Sequence, residues 1–107
     1  VANATDDYFY FGTNNGLFRS LRSSFPISDN LEKLQGIEGQ VYNIQLYNND
    51  LFIGCHYGAY VLSGNELYQL SDKVGWWTFV ETSDPDVMIG GGYDGISLFN
   101  HRDHDIW

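Results

Sequence analysis

The sequence has one cysteine, few basic residues and no long apolar run, and each of these scarcities excludes a class of protein. With Cys55 alone, no disulfide can form within the chain, which excludes the disulfide-stapled secreted domains. Five Lys and Arg residues stand against fourteen Asp and Glu, and the formal net charge of −9 repels nucleic-acid phosphates. No run of about 18 apolar residues is present, so no membrane-spanning helix is predicted. The sequence therefore predicts a globular segment that does not bind nucleic acid directly.

What the chain does contain is a repeated pattern of an apolar run, a glycine, three residues, a second glycine and another apolar run. Gly12, Gly54 and Gly90 lead the three copies and are 42 and then 36 residues apart. The third copy has one extra residue before its second glycine, Gly95. A period of about 40 residues is typical of a β-propeller blade, whereas a β-helix has shorter coils. The repeats therefore indicate a propeller.

Each apolar run is rich in β-branched and aromatic residues, and Asn, Gly and Ser supply the turns. The fold class predicted is all-β, a β-propeller segment of about two and a half four-stranded blades. The chain would supply the last three strands of one blade, one whole blade and the first three strands of another. The blade parts are residues 1–39, 40–75 and 76–107 of one propeller domain. Strands are expected at Tyr8–Gly12, Val41–Tyr47, Leu51–Gly54, Tyr60–Leu62, Glu66–Leu70, Trp77–Val80, Val87–Ile89 and Ile96–Phe99.

Two expectations concern completeness and helix content. Propellers need about four to eight blades to close, and the sequence does not begin with Met, so we expect a fragment of a longer protein. The segment of helix-forming composition is Asp29–Gln35, with Asn30 as its cap. A single helical turn there is the alternative to irregular structure.

Neighbouring blades are expected to bury the large apolar residues, because one blade cannot cover both of its own faces. Aromatic side chains contribute most to such burial. The residues expected to pack between blades or sheets are Tyr42, Phe52, Ile53, Trp76, Trp77 and Ile89.

The turns that follow the repeat glycines form the strongest candidate for a binding site. They occupy corresponding positions in the three copies, so in a ring of blades they should lie on one rim. Aromatic and amide side chains there can stack on and hydrogen-bond a ligand such as a sugar. The alternative is that these residues only suit tight turns. The candidate ligand-binding residues are Asn14, Asn15, His56, Tyr57, Tyr93 and Asp94.

Two motifs match cofactor or metal sites by composition alone. Gly90–Gly95 satisfies G-x-G-x-x-G, but residues 96–99 are predicted to be a strand, where a dinucleotide site needs a helix N-terminus. Histidine and aspartate residues that could bind a metal lie near the end of the given sequence, but they lack the supporting contacts that a metal site requires. That cluster comprises His101, Asp103, His104 and Asp105. We therefore expect no cofactor and no specific metal.

No catalytic residue is predicted either. Cys55 and His56 are neighbours on a strand and should point to opposite faces, which prevents a thiolate pair, so we expect an inert thiol. No serine has the context of a nucleophile elbow. Asp94 is the sole acid of the rim turns, whereas a glycosidase needs two carboxyl groups.

The pattern of glycine and aromatic residues along the chain resembles the two-component-regulator propeller repeats of Bacteroidetes sensor proteins. Such proteins are hybrid two-component histidine kinases, or transcriptional regulators with a triple-tyrosine domain and a helix-turn-helix. The sequence departs from the repeat at Phe52, where Trp is usual, and at Ala59, where Leu is common. The segments that carry the resemblance are Phe11–Leu17, Gly39–Ile44, Gly54–Gly58 and Gly90–Gly95.

The resemblance implies a periplasmic, membrane-anchored sensor, often of carbohydrate breakdown products, with its signalling domains outside this chain. The expected partners are a small-molecule or oligosaccharide ligand, the remaining propeller blades and, for the full-length protein, a second copy as a homodimer. Two other hypotheses stay open, because propellers host many functions. One is a non-catalytic interaction or dimerisation scaffold, and the other is a propeller-framed lyase or glycosidase. This segment itself is not expected to be an enzyme.

Overall fold

A computed structural model describes residues 1–23, 31–101 and 107. These residues form eleven β-strands in three antiparallel sheets, named A, B and C in chain order. Sheet A contains β1 (Ala2–Ala4), β2 (Tyr8–Thr13), β3 (Gly16–Leu21) and β4 (Glu32–Lys33). Sheet B contains β5 (Val41–Tyr47), β6 (Asp50–Cys55), β7 (Gly58–Ser63) and β8 (Glu66–Ser71). Sheet C contains β9 (Trp76–Glu81), β10 (Val87–Gly92) and β11 (Gly95–Asn100).

In each sheet, strands that are consecutive in the sequence are also neighbours in space. All of the predicted strands are present, and most are longer than predicted by up to three residues. Within the described ranges no helix is long and apolar enough to cross a membrane. The all-β prediction is confirmed, with three sheets that have the form of propeller blades.

Two local features differ from what the sequence predicts. Sheet A has four strands and not three, because Ala2–Ala4 pairs with β2; alanine and asparagine have low strand propensity, so the pairing partner and not the local sequence forms β1. Of Asp29–Gln35, the suggested cap Asn30 lies outside the described residues, and residues 31–35 contain β4 and the start of a turn in place of either irregular structure or a helical turn. There Glu32 and Lys33 pair with β3, and this tertiary pairing overrides helix propensity.

The sheet registers also correct the alignment of the third repeat. Gly12 lies opposite Leu17 in sheet A, and Gly54 lies opposite Ala59 in sheet B. In sheet C the corresponding pair is Gly91 and Ile96. Gly91, and not Gly90, is therefore the equivalent glycine, and the third copy has no extra residue. The run of three glycines concealed this register, because the first of them also fits the pattern.

Each sheet has a forward face, which points toward the next sheet in chain order, and a backward face, which points toward the preceding one. Strand β6 shows the alternation, since successive side chains of a strand point to opposite faces. Leu51, Ile53 and Cys55 belong to the core between sheets A and B, whereas Phe52 belongs to the core between sheets B and C. Sheet B is thus buried on both faces, as expected for a blade inside a propeller.

The two cores confirm most of the predicted burial. Phe52 and Ile53 are fully buried, and Trp76 packs in the second core with Phe79, whose ring centroid lies 5.4 Å from that of Phe52. Ile89 is an exception, because it lies on the forward face of sheet C and is only partly buried. No described sheet covers that face.

Candidate ligand-binding rim

The three candidate turns are structurally equivalent. Each is a two-residue hairpin connection between the second and third strands of its sheet. The closing pairs are Thr13 with Gly16, Cys55 with Gly58, and Gly92 with Gly95. The turns Asn14-Asn15, His56-Tyr57 and Tyr93-Asp94 therefore occupy one register position in successive sheets.

The structure brings together the aromatic members of these turns. The ring centroid of His56 lies 4.8 Å from that of Tyr57 and 6.4 Å from that of Tyr93, with the rings nearly perpendicular in both pairs. Tyr57 and Tyr93 are each 57% exposed. Asn14, Asn15 and Asp94 are exposed as well, but they take no part in these ring contacts.

Two further aromatic residues join this group, and sequence reasoning had assigned both to packing between blades. The Trp77 ring centroid lies 4.4 Å from that of Tyr93, and Tyr42 contacts both Trp77 and His56. The Tyr42 hydroxyl oxygen and His56 Nδ1 are 3.1 Å apart, within hydrogen-bond distance. Trp77 is 43% exposed, whereas Trp76 is 4% exposed. The packing prediction holds for Trp76. Tyr42 and Trp77 do contact each other across sheets B and C, but both stay partly exposed at the rim and neither belongs to a core.

β-Bulges explain why Tyr42 and Trp77 face the rim. The register of β5 against β6 shifts between Val41 and Asn43, and that of β9 against β10 shifts at Gly91 and Gly92, so one residue of each first strand has no direct partner. That unpaired residue is Tyr42 in sheet B and Trp77 in sheet C. A bulge redirects side chains and is common beside functional sites. The aromatic rim cluster therefore consists of Tyr42, His56, Tyr57, Trp77 and Tyr93.

A sequence signal for these bulges was available. In β5 the buried residues Val41 and Ile44 are three positions apart, and in β9 Trp76 and Phe79 have the same spacing. Strict alternation would place such a pair on opposite faces. Both members of each pair belong to the same core, which indicates one inserted residue between them.

Backbone hydrogen bonds connect the turns that carry the cluster. Gly75 N–H donates to the His56 carbonyl oxygen at 2.8 Å, and Tyr93 N–H donates to the Gly75 carbonyl oxygen at 2.9 Å. Gly75 has a φ of +80°, and a Cβ atom there would lie 1.8 Å from Tyr93 Cδ2. Glycine is thus required at this position for conformation and for space. The turns of sheets B and C are joined through it.

The cluster presents π faces, phenol hydroxyl groups and an imidazole to solvent. Desolvation, followed by the neighbouring Tyr93, raises the pKa of Tyr42, so this phenol stays protonated at neutral pH. Flat apolar rings next to neutral hydrogen-bonding groups match the alternating apolar and hydroxyl surfaces of a sugar. The arrangement can stack on and hydrogen-bond a neutral polar ligand.

A cavity lies elsewhere, at the opposite rim between sheets A and B. It has a volume of about 310 Å³, and its lining includes Asp6, Asp7, Tyr8, Asn49 and Asn65. Size alone does not make it the better site, because it is open and presents no group of exposed rings. We therefore take the aromatic rim cluster as the candidate site.

The glycine run and the histidine cluster take different places in the structure. Gly90–Gly95 spans the β10–β11 hairpin, so a strand follows the glycines, as predicted. His101 stacks on Trp107 with a centroid distance of 5.1 Å. Asp103, His104 and Asp105 lie outside the described residues, and among those described no three metal-ligating side chains lie together.

Cys55 should resist thiol reagents in the folded protein. It is fully buried on the backward face of sheet B, and desolvation raises its pKa to about 12. An unfolded cysteine has a pKa of about 8.5, so below that pH burial of the neutral thiol makes its full contribution to stability. This contribution is lost as the pH rises toward the pKa of the folded protein, about 12.

Titration with Ellman's reagent checks this expectation. At mildly alkaline pH, native protein should react far more slowly than protein in concentrated guanidinium chloride. Equal rates in the two conditions would show that the thiol is accessible.

Comparison with known proteins supports the fold alone. No protein-family model and no curated protein matches the sequence. Among solved structures, the fold is similar to the crystal structure of the computationally designed Ika4 protein, a designed β-propeller, with a TM-score of 0.65 and 13% sequence identity. The match covers 92% of this chain and spans 63% of the length of the Ika4 chain. The chain is therefore an all-β protein with the architecture of a β-propeller segment.

Proposed function

We propose that this chain is a ligand-sensing segment of a β-propeller and that the aromatic rim cluster binds carbohydrate. The observation that carries the proposal is the exposure of Tyr57, Trp77 and Tyr93 in one group, held in place by buried sheets. Exposure of large apolar rings to water is unfavourable, and a ligand that stacks on them removes this surface from water. Turn formation alone does not require them.

The biological setting of the proposal rests on the resemblance to two-component-regulator propeller repeats. In that setting the segment lies in the periplasm, in a membrane-anchored regulator that is a homodimer, and further blades complete the ring. Its output is a kinase or DNA-binding domain outside this chain. The segment itself is non-catalytic and, with a net charge of −9, does not bind nucleic acid directly.

The alternative function is a protein-interaction scaffold without a small-molecule ligand. Aromatic residues are also enriched at protein interfaces, so the same cluster favours this function next. A lyase or glycosidase is supported least, since the rim turns carry one carboxylate, that of Asp94.

The test of the proposal is binding to an array of neutral oligosaccharides. Trp77→Ala and Tyr93→Ala should each weaken binding roughly tenfold, through loss of stacking. Tyr93→Ala should change the free energy of unfolding by no more than about 0.5 kcal/mol, as is usual for exposed turn positions. His56→Ala should weaken binding too, and should also cost about 1 kcal/mol because it removes the contact with Tyr42.

Asn65→Ala, at the turn between β7 and β8 on the opposite rim, is the control and should leave binding unchanged. If the parent protein binds no neutral oligosaccharide, the proposal of carbohydrate sensing is wrong and the interaction scaffold becomes the better supported function. If the parent binds and both aromatic variants bind equally well, the ligand contacts another surface.

A further inference from the structure

The indole ring of Trp107 fills a place between sheets B and C, at the rim opposite to the aromatic rim cluster. Its ring centroid lies 6.1 Å from that of Tyr47 and 5.0 Å from that of Phe52. Its N–H donates to Asp50 Oδ2 at 3.1 Å. The forward face of sheet B thus accepts an aromatic ring that carries a hydrogen-bond donor.

The corresponding place between sheets A and B is the cavity of about 310 Å³. The sheet A residues that match the three Trp107 contacts by register, in the order Tyr47, Asp50 and Phe52, are Thr5, Tyr8 and Tyr10. Thr5 N–H donates to the Tyr8 carbonyl oxygen at 2.9 Å, which extends the β1–β2 register to this pair. All three residues line the cavity. The cavity and the Trp107 ring therefore occupy equivalent places in successive interfaces.

The floor of the cavity is apolar and set by the core. Tyr10, Leu51 and Leu62 line it, are each 4% exposed or less, and belong to the core between sheets A and B. Every lining residue belongs to sheet A, to sheet B or to their turns. A volume of about 310 Å³ is at the low end of the range of about 300 to 1,000 Å³ for small-molecule sites. The cavity therefore fits a single small ring system.

The charge at the edge of the cavity favours a cation. Asp6 and Asp7 line this edge, are exposed, and form no ion pair with any described residue. Among the described residues that line the cavity, none is Lys or Arg. Arg22 donates to the Thr5 carbonyl oxygen at 3.0 Å, but its guanidinium group lies over the ring of Phe9. Two carboxylates in a protein of net charge −9 attract a positively charged ligand.

We propose that this cavity binds a small arylalkylamine, that is, an aromatic ring of about the size of indole joined to a protonated amine. The ring takes the place equivalent to that of the Trp107 indole, over Tyr10, and the ammonium group pairs with the carboxylates of Asp6 and Asp7. Aromatic walls and a few polar groups at the edge are typical of such sites. The proposal does not depend on carbohydrate binding, because it concerns the opposite rim.

Titration of the ¹⁵N-labelled 107-residue chain with tryptamine tests the site. The amide signals of Tyr10, Leu51 and Leu62 should shift, with a dissociation constant of about 1 mM or lower. Signals of Trp77 and Tyr93 should stay in place. The proposal is wrong if the cavity amides do not shift, or if the shifts are confined to the aromatic rim cluster.

A second probe and a charge variant test the role of the carboxylates. Indole-3-propionate has the same ring and the opposite charge, so it should bind the parent at least about tenfold more weakly than tryptamine. Asp6→Asn with Asp7→Asn should reduce this preference to about twofold or less. The control is Glu38→Gln with Asp72→Asn, which removes the same charge from exposed positions outside the cavity and should keep the preference. Equal affinity of the parent for both probes, or the same preference in both double variants, would contradict the proposed charge selection.

A blocking variant tests the location. Leu46 lines the cavity and is 40% exposed, so tryptophan at this position has room to fill the cavity without entering the core. Leu46→Trp should weaken tryptamine binding at least about tenfold while circular dichroism and the melting temperature show a folded chain. If that chain is unfolded, Leu46→Phe takes its place. A folded blocking variant that binds tryptamine like the parent would place the ligand outside this cavity.

Discussion

Replacing Phe52 with alanine should lower the free energy of unfolding by about 3 to 5 kcal/mol. Phe52 is fully buried on the forward face of sheet B, and its ring centroid lies 5.4 Å from that of Phe79 and 5.0 Å from that of Trp107. Alanine would leave a cavity between two sheets that cannot collapse without moving both. Urea unfolding followed by far-ultraviolet circular dichroism measures the loss.

The matched control for Phe52→Ala is Ile89→Ala in dilute protein. By register Ile89 holds the same position in sheet C, but its face is uncovered, so the cost should be about 1 kcal/mol or less. Similar losses for the two variants would mean that a sheet covers the forward face of sheet C in solution even in dilute protein. A small loss for Phe52→Ala would contradict the core between sheets B and C.

Adding one methyl group at Gly54 should destabilise the protein by about 1 to 3 kcal/mol, whereas the same change at Gly91 should cost much less. Gly54 and Gly91 are equivalent in register. A Cβ atom at Gly54 would lie 2.6 Å from a backbone oxygen of Trp76, which cannot move without shifting β9. At Gly91 it would meet the Thr78 methyl group at 3.2 Å, and a side chain can rotate away.

Thermal unfolding of Gly54→Ala and Gly91→Ala, side by side, checks this difference. Both replace glycine in a strand, where alanine by itself is favourable, so propensity effects cancel in the comparison. An equal fall in melting temperature would show that sheets B and C are not packed as closely as the structure has them.

These expectations separate stability from binding in the molecule. Stability depends on residues between the sheets, such as Phe52 and Gly54, whereas the proposed ligand contacts are on turns and bulged strand positions of the rim. The proposed binding function benefits from this division, because a rigid frame holds the rim side chains in a binding geometry before the ligand arrives. Substitutions at exposed rim positions such as Tyr93 are therefore expected to change affinity with little change in melting temperature.

Much of the fold could be read from local patterns. The apolar runs and glycine turns located the central strands, because alternation and turn chemistry are short-range properties of the chain. Two-residue turns in equivalent positions followed from the same repeats, and so did three of the five residues in the aromatic rim cluster, His56, Tyr57 and Tyr93. The burial of Phe52 followed as well.

Contacts between residues distant in sequence determined the features of the fold that local patterns do not predict. The strand Ala2–Ala4 exists because β2 pairs with it, and Trp107 donates its indole N–H to Asp50 Oδ2 at 3.1 Å, across 57 positions of sequence. Neither contact has a local signal, since the partner alone provides the stabilising hydrogen bonds and burial.

The sequence by itself determined the class of fold, the number of sheets and the position of the turns, because these depend on the period of the apolar pattern. Only the tertiary structure decided which aromatic residues reach the rim. Tyr42 and Trp77 do so through β-bulges, whose position depends on how each strand pairs with its neighbour. The exposure of Ile89 was decided in the same way, since burial of a strand residue requires a second sheet and is not a property of the strand.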